Sequence, residues 1–264
     1  MRTPVCRQLP IAHLPRHPSP NLQRSPLGEL PMIVTPRFVF LHLHKSGGTF
    51  VNEFLRQFFQ EHKEIGYHLP RSMLPGEYGH LPILGVVRNP WSYYVSWYVF
   101  QSARNQPNGL FRAVSDNKRL DFKNTIYNLI HLGEDLVRFE LFQSLLPDQF
   151  GHEGLNLTKN CIEPFRGSSE GFYAFLYRRM FGQAEGVHTI RMETMRQELL
   201  QFLRSVGVSV TDAMEQAVLH SKKKNVTKHQ PYVDYYDEDL AQAIAERDHH
   251  VIEQFGYVFE RQTS

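Results

Sequence analysis

The sequence predicts an α/β domain in which a parallel sheet is covered by helices on both faces. Three observations predict it. From residue 37 onward, short runs rich in β-branched and aromatic residues alternate with stretches whose apolar residues recur at helical spacing. The first run passes into a turn with two adjacent glycines and then into a helical stretch. The second run, at 82–87, is followed by an arginine and then by Pro90, a residue suited to the first turn of a helix. The chain has 264 residues, 41% hydrophobic and 21% charged, the balance of a water-soluble globular protein long enough to bury a core. A net charge of +2 gives no global basic field for a nucleic acid. Two cysteines, Cys6 and Cys161, rule out a disulfide scaffold or a four-cysteine zinc site. No run of about eighteen apolar residues is present to span a membrane.

Residues 1–36 stand apart from the rest. They hold eight of the sixteen prolines, four arginines and a single acid, Glu29. Proline at that density breaks helices and ladders, so 1–36 is expected to be a disordered tail and 37–264 the single folded domain. An arginine-rich, acid-poor start also suits a targeting leader, but it shows neither an amphipathic helix pattern nor the apolar stretch of a secretory signal. With neither signal present, a soluble, cytoplasmic protein is expected.

Within the domain, Arg37–Leu43 reads as a strand buried on both faces. Phe50, Val51, Phe54, Leu55, Phe58 and Phe59 then fall on a helix. Residues 82–87 read as a second strand and Trp91–Ala103 as a second helix. Helix is expected again over 172–181 and Met195–Val206, with a short strand at Val187–Arg191 between them. The last helix is expected over Asp237–Phe255, with acids in its first turn, one apolar stripe, and Gly256 placed to cap its end.

Two motifs carry chemistry. In His44-Lys45-Ser46-Gly47-Gly48-Thr49-Phe50, glycines between a strand and a helix let backbone amides approach an anion, and the helix N-terminus adds partial positive charge. Lys45 brings a full charge, while Thr49 can cap the helix or bond an anion oxygen. This is a cradle for phosphate or sulfate. It is not the Walker A loop, in which the lysine follows the last glycine. In the second motif, Arg88-Asn89-Pro90, the arginine ends a strand and faces the crevice where open α/β sheets bind ligands. Its planar fork suits a phosphate, and Ser96 lies two helical turns further on.

Read together, Lys-Ser-Gly-Gly-Thr after a strand and Arg-Asn-Pro with a serine eight residues past the arginine resemble the sulfotransferase family. The C-terminal text, Asn225-Val226-Thr227-Lys228-His229, Tyr235-Tyr236-Asp237 and Phe255-Gly256-Tyr257-Val258-Phe259, is similar to the ending of members related to Golgi carbohydrate sulfotransferases and their soluble bacterial relatives. The resemblance spans roughly 37–260 and is weak between 104 and 185. His44 stands where the family has proline, which implies a less rigid start to the loop. The resemblance implies a P-loop-NTPase-like fold and the donor 3′-phosphoadenosine-5′-phosphosulfate, with no metal. It assigns Lys45 to the leaving phosphate and the amides of Ser46, Gly47, Gly48, Thr49 and Phe50 to the 5′-phosphate. Arg88 and Ser96 fall to the 3′-phosphate, with Lys228 a weaker candidate for the same pocket. It also implies an acceptor of saccharide type, the middle region, 104–185, building that site.

Sulfuryl transfer needs a base for the acceptor proton. His68, in Gly66-Tyr67-His68-Leu69-Pro70, resembles a histidine segment of some members and is the first candidate, ahead of His80, Glu53 and Glu77. The other histidines show no third partner at metal-ligand spacing. Two alternatives remain open at this point. One is a nucleotide kinase-like phosphotransferase, which would need a Walker-B-type acid ending a strand. The other is a non-catalytic nucleotide-binding protein of the same fold.

Overall fold

The computed structural model describes residues 30–152, 154–182, 186–221 and 230–260. Five strands form one mixed sheet in the order β3-β1-β2-β4-β5: β1 Met32–Val34, β2 Val39–Leu41, β3 Lys63–Ile65, β4 Ile83–Val87 and β5 Val187–Arg191. The expected parallel arrangement holds for β2, β4 and β5, with Leu41 opposite Gly85 and Val87 opposite Arg191. Strand β1 is antiparallel to both β2 and β3. Its sense follows from its connection. Thr35-Pro36-Arg37 is too short for a crossover, and the Thr35 hydroxyl closes the turn by donating to the Phe38 carbonyl at 2.8 Å and accepting the Phe38 amide at 3.0 Å.

The sheet therefore begins upstream of residue 37, which corrects the expected boundary. Met32, Ile33 and Val34 are buried although the prolines around them read as tail. Pro31 and Pro36 flank the strand rather than interrupt it, positions where a missing N–H costs the ladder nothing.

Eleven α-helices are present among the described residues. Val39, Leu41, Ile83 and Val87 face one large core, and Phe38, Phe40, Leu84, Val86 and Ile190 face a second. That alternation is why helices cover both faces. The second core is closed by α1 Gly48–Phe58, α8 Met195–Ser205 and α9 Asp212–His220. The first takes α2 Pro90–Ser102 and the helices of the middle region: α3 Gly109–Val114, α4 Phe122–Ile130, α5 Leu136–Ser144, α6 Lys159–Ile162 and α7 Phe172–Phe181. Short polar side chains start most of these, with Asn89, Asn108, Asp121, Asp135 and Thr158 each accepting a first-turn amide.

The expected helix over Asp237–Phe255 is two helices, α10 Glu238–Arg247 and α11 His249–Phe255. They part at Asp248, whose fully buried carboxylate turns inward to accept the Ala174 amide at the start of α7 and the Tyr94 hydroxyl, both at 2.7 Å. The apolar stripe runs through both helices, so periodicity alone cannot show the break.

Candidate active site

The chain leaves β2 at Leu41 and reaches α1 through His42–Gly47. Lys45 and Gly47 both have left-handed backbone, φ 59° and 82°, and this curls the loop back on the helix. A lysine in that region is strained, a feature that gathers at ligand-binding turns. Gly48 is required for another reason. A Cβ there would lie 2.5 Å from Cδ2 of His42, whose Nδ1 is bonded at 2.8 Å to Asn52 of α1. Asn52 in turn donates to the Pro31 carbonyl at 3.1 Å, so the loop is braced from β1 as well.

Gly47, not Thr49, is the N-cap of α1, and no side chain caps the helix. Thr49 therefore lies inside the first turn, which removes its expected capping role. The Phe50 amide is spent on the Gly47 carbonyl at 3.2 Å, leaving the amides of Gly48 and Thr49 as the helix donors for an anion. Ser46 is fully buried, its Oγ 3.3 Å from the Tyr173 hydroxyl. The Lys45 ammonium sits 4.3 Å over the Phe100 ring. Burial, and next the Arg88 charge, bring its pKa down to about 8, as expected of a cation waiting for an anion.

Arg88 follows β4 directly and is buried beside the loop. One Nη donates to the Lys45 carbonyl at 3.2 Å, while Nε and the other Nη donate to Ser92 Oγ at 3.0 and 2.8 Å. Pro90 occupies the first turn of α2, as its position suggests, and Asn89 caps the helix by accepting the Ser92 amide at 3.1 Å. Ser96 is buried one turn beyond Ser92, but the hydroxyl that the guanidinium bonds is that of Ser92. Two further contacts lie outside both motifs. Glu193 accepts the Asn89 amide at 2.9 Å and the Tyr257 hydroxyl at 3.2 Å. The Tyr173 hydroxyl accepts the Arg88 amide at 2.8 Å. Arg88 is thus surrounded mainly by neutral groups, and burial lowers its pKa while Glu193 acts in the opposite sense.

His68 follows β3 with left-handed backbone, φ 45°, and is buried. Its ring packs edge-on against His42 and His44, with centroids 4.7 and 5.6 Å away. Nδ1 lies 2.8 Å from the His42 carbonyl, which can only accept, so Nδ1 carries the hydrogen and Nε2 the lone pair. That Nε2 is buried without a hydrogen-bond partner among the described residues. Burial drops the His68 pKa to about 4, and burial likewise holds His42 and His44 well below the usual imidazole range. His80 and Glu77 are exposed in the 71–81 turns, and Glu53 is half-buried on α1. Neither His80 nor Glu77 is brought to the loop as His68 is. Lys228, with Asn225, Thr227 and the Lys222–Lys224 run, lies outside the described residues. Among the described residues no group of three or more histidines, cysteines or acids is placed to hold a metal ion, and no helix is long and apolar enough to cross a membrane.

No family model matches the sequence, and no curated protein matches it. Among solved structures the chain is similar to mouse sulfotransferase SULT7A1 complexed with PAP. The two are 12% identical over 82% of this chain and 87% of that one, with a TM-score of 0.46. It is also similar to a sulfotransferase from Alicyclobacillus acidocaldarius, 17% identical over 69% of this chain and 57% of that one, with a TM-score of 0.30.

Proposed function

We propose that this chain is a sulfotransferase that moves the sulfuryl group of 3′-phosphoadenosine-5′-phosphosulfate to an acceptor hydroxyl or amine. One observation carries the reading: Arg88 Nη1 donates to the carbonyl of Lys45, joining two anion-binding motifs 43 residues apart at the same end of adjacent parallel strands. A ligand with one anion near the Gly48 and Thr49 amides and another near Arg88 uses both. The donor, with a 5′-phosphosulfate and a 3′-phosphate, has that form.

In this mechanism the protein positions reactants and neutralises charge, as in phosphoryl transfer. The acceptor oxygen or nitrogen bonds to sulfur while the sulfur–oxygen bond to the 5′-phosphate breaks. The electron pair stays on the phosphate oxygen, where Lys45 and the loop amides offset the growing charge. The acceptor proton passes to Nε2 of His68. Burial makes His68 a weak base, so transfer occurs late, once the new bond to sulfur has made the acceptor proton acidic. Arg88, Ser92 and Ser96 serve the 3′-phosphate, and Lys228 is retained as a further candidate for it. Saccharide acceptors and a soluble, bacterial, cytoplasmic setting rest on the sequence resemblance alone. The domain is proposed to run from Met32 rather than from 37. The kinase alternative is disfavoured by the strand ends, since β4 runs into Arg88 and β5 ends at Arg191 where a Walker-B-type acid would be needed.

The test is a thermal-shift comparison of 3′-phosphoadenosine-5′-phosphate, adenosine 5′-phosphate and ATP. Stabilisation is expected to depend on the 3′-phosphate, reaching about 2.7 kcal/mol at a hundredfold excess over Kd. Arg88→Ala should bring the bisphosphate down to the level of adenosine 5′-phosphate. Equal shifts with all three ligands on the unaltered protein would overturn the donor assignment. A labelled-donor screen over saccharides, lipids and phenols then identifies the acceptor.

A further inference from the structure

Beyond the edge of the sheet, the two anion motifs lose their direct backbone link. Strand β2 pairs with β4 only as far as Leu41 opposite Gly85, so the amide of Arg88 has no partner on β2. A buried amide without an acceptor is costly, and here the acceptor is a side chain, the hydroxyl of Tyr173 at 2.8 Å. The same hydroxyl lies 3.3 Å from Ser46 Oγ, 127 residues away in the sequence. With one lone pair on the Arg88 amide, its own hydrogen is free for Ser46. Burial raises the phenol pKa, so that hydrogen is retained across the physiological range.

We propose that Tyr173 is a positioning residue whose hydroxyl sets the spacing between the phosphate loop and Arg88, and so the preference for ligands with two anions at that spacing. Tyr173 is itself held at both its ring and its backbone. Its ring stacks on Tyr93 with centroids 4.1 Å apart, and its amide donates to the Tyr94 hydroxyl at 3.1 Å. Tyr94 donates to Asp248, which also anchors the next amide of α7. A buried polar chain thus runs from the α10–α11 junction through Tyr94 and the start of α7 to the phosphate loop. Spacing fixed before the ligand arrives lowers the ordering cost of binding, and most for a ligand that must touch both ends.

The ligand part of this inference rests on the sulfotransferase reading, so the test has two arms. Tyr173→Phe keeps the ring and removes the strut. Calorimetry is expected to show about tenfold weaker binding of 3′-phosphoadenosine-5′-phosphate, with adenosine 5′-phosphate changed less than twofold. Donor KM should rise by a similar factor while kcat at saturation stays within about threefold. Tyr94→Phe, which loosens the same chain but spares the Tyr173 hydroxyl, should lower Tm and leave the ligand ratio unchanged. Equal loss for both nucleotides, or none for either, overturns the inference. The second arm needs no ligand: amide exchange should speed up in Tyr173→Phe both at Arg88 and across residues 45–49. Faster exchange at Arg88 alone also overturns it. If the unaltered protein does not distinguish the two nucleotides, the donor reading fails while the exchange arm still decides the strut.

Discussion

Replacing Lys45 with methionine is expected to lower kcat for sulfuryl transfer by roughly 100- to 1,000-fold, the usual cost of removing one donor aimed at developing charge. Methionine keeps most of the aliphatic stem and removes the ammonium that sits over Phe100, a contact worth little against the whole fold, so Tm should change little. Binding of the desulfated donor product should weaken far less than kcat, because the Gly48 and Thr49 amides and Arg88 remain. The same charge sets an alkaline limit. Lys45 in the free protein titrates at about 8 because it is buried beside Arg88, so kcat/KM for the donor should fall as pH rises through that value. Bound anion holds the proton, so the corresponding limb in kcat should lie higher. A Lys45→Met protein retaining more than a tenth of the original kcat would remove Lys45 from the mechanism.

The second large effect is on stability in acid. The His68 pKa is about 4 in the folded protein against 6.5 for an unperturbed imidazole. Between those values the unfolded chain holds the extra proton, so stability is full above about pH 6.5 and is lost as pH falls through 4. His68 alone accounts for about 3 kcal/mol of that loss. His42 and His44 add to it with the same sign. Asp248 acts oppositely, because burial lifts its carboxyl to about 7. The histidine part is isolated by comparing urea unfolding of the unaltered protein and His68→Asn at pH 7 and pH 4, since asparagine tolerates the left-handed backbone at that position. The variant should lose about 3 kcal/mol less between the two pH values. Parallel pH curves would show that His68 takes up its proton in the fold as readily as in the unfolded chain.

What could be read from the sequence was what is local. The strand–glycine–helix order around Lys45 and the Arg88-Asn89-Pro90 turn each lie within one short stretch of chain, and both are found where their neighbours in sequence put them. Ser92 is within reach of the same reasoning, four residues from Arg88, although the family resemblance points to the more distant Ser96. Tyr173 and Glu193 were out of reach. They meet Arg88 and Asn89 across 85 and 104 residues, and nothing near either in sequence marks the contact. Strand β1 is hidden between Pro31 and Pro36, and β3, Lys63-Glu64-Ile65, holds two charged residues and one apolar one, so neither stands out as β2 does in its longer apolar run. The break at Asp248 depends on where a buried carboxylate finds its donors, which is a property of the packed molecule.

The place of β1 governs how the polypeptide can be trimmed. It lies between β2 and β3, so a version starting at residue 37 would not just lose a terminal thread. It would free the long flank of β2 for pairing with other molecules and cut β3 from the sheet. The Asn52 side chain would lose the Pro31 carbonyl at the same stroke. Expression of a 37–264 fragment should therefore give aggregate, while a fragment starting at residue 30 should give monodisperse protein by gel filtration. The proline-rich appearance of the first 36 residues conceals a seam through the middle of the sheet.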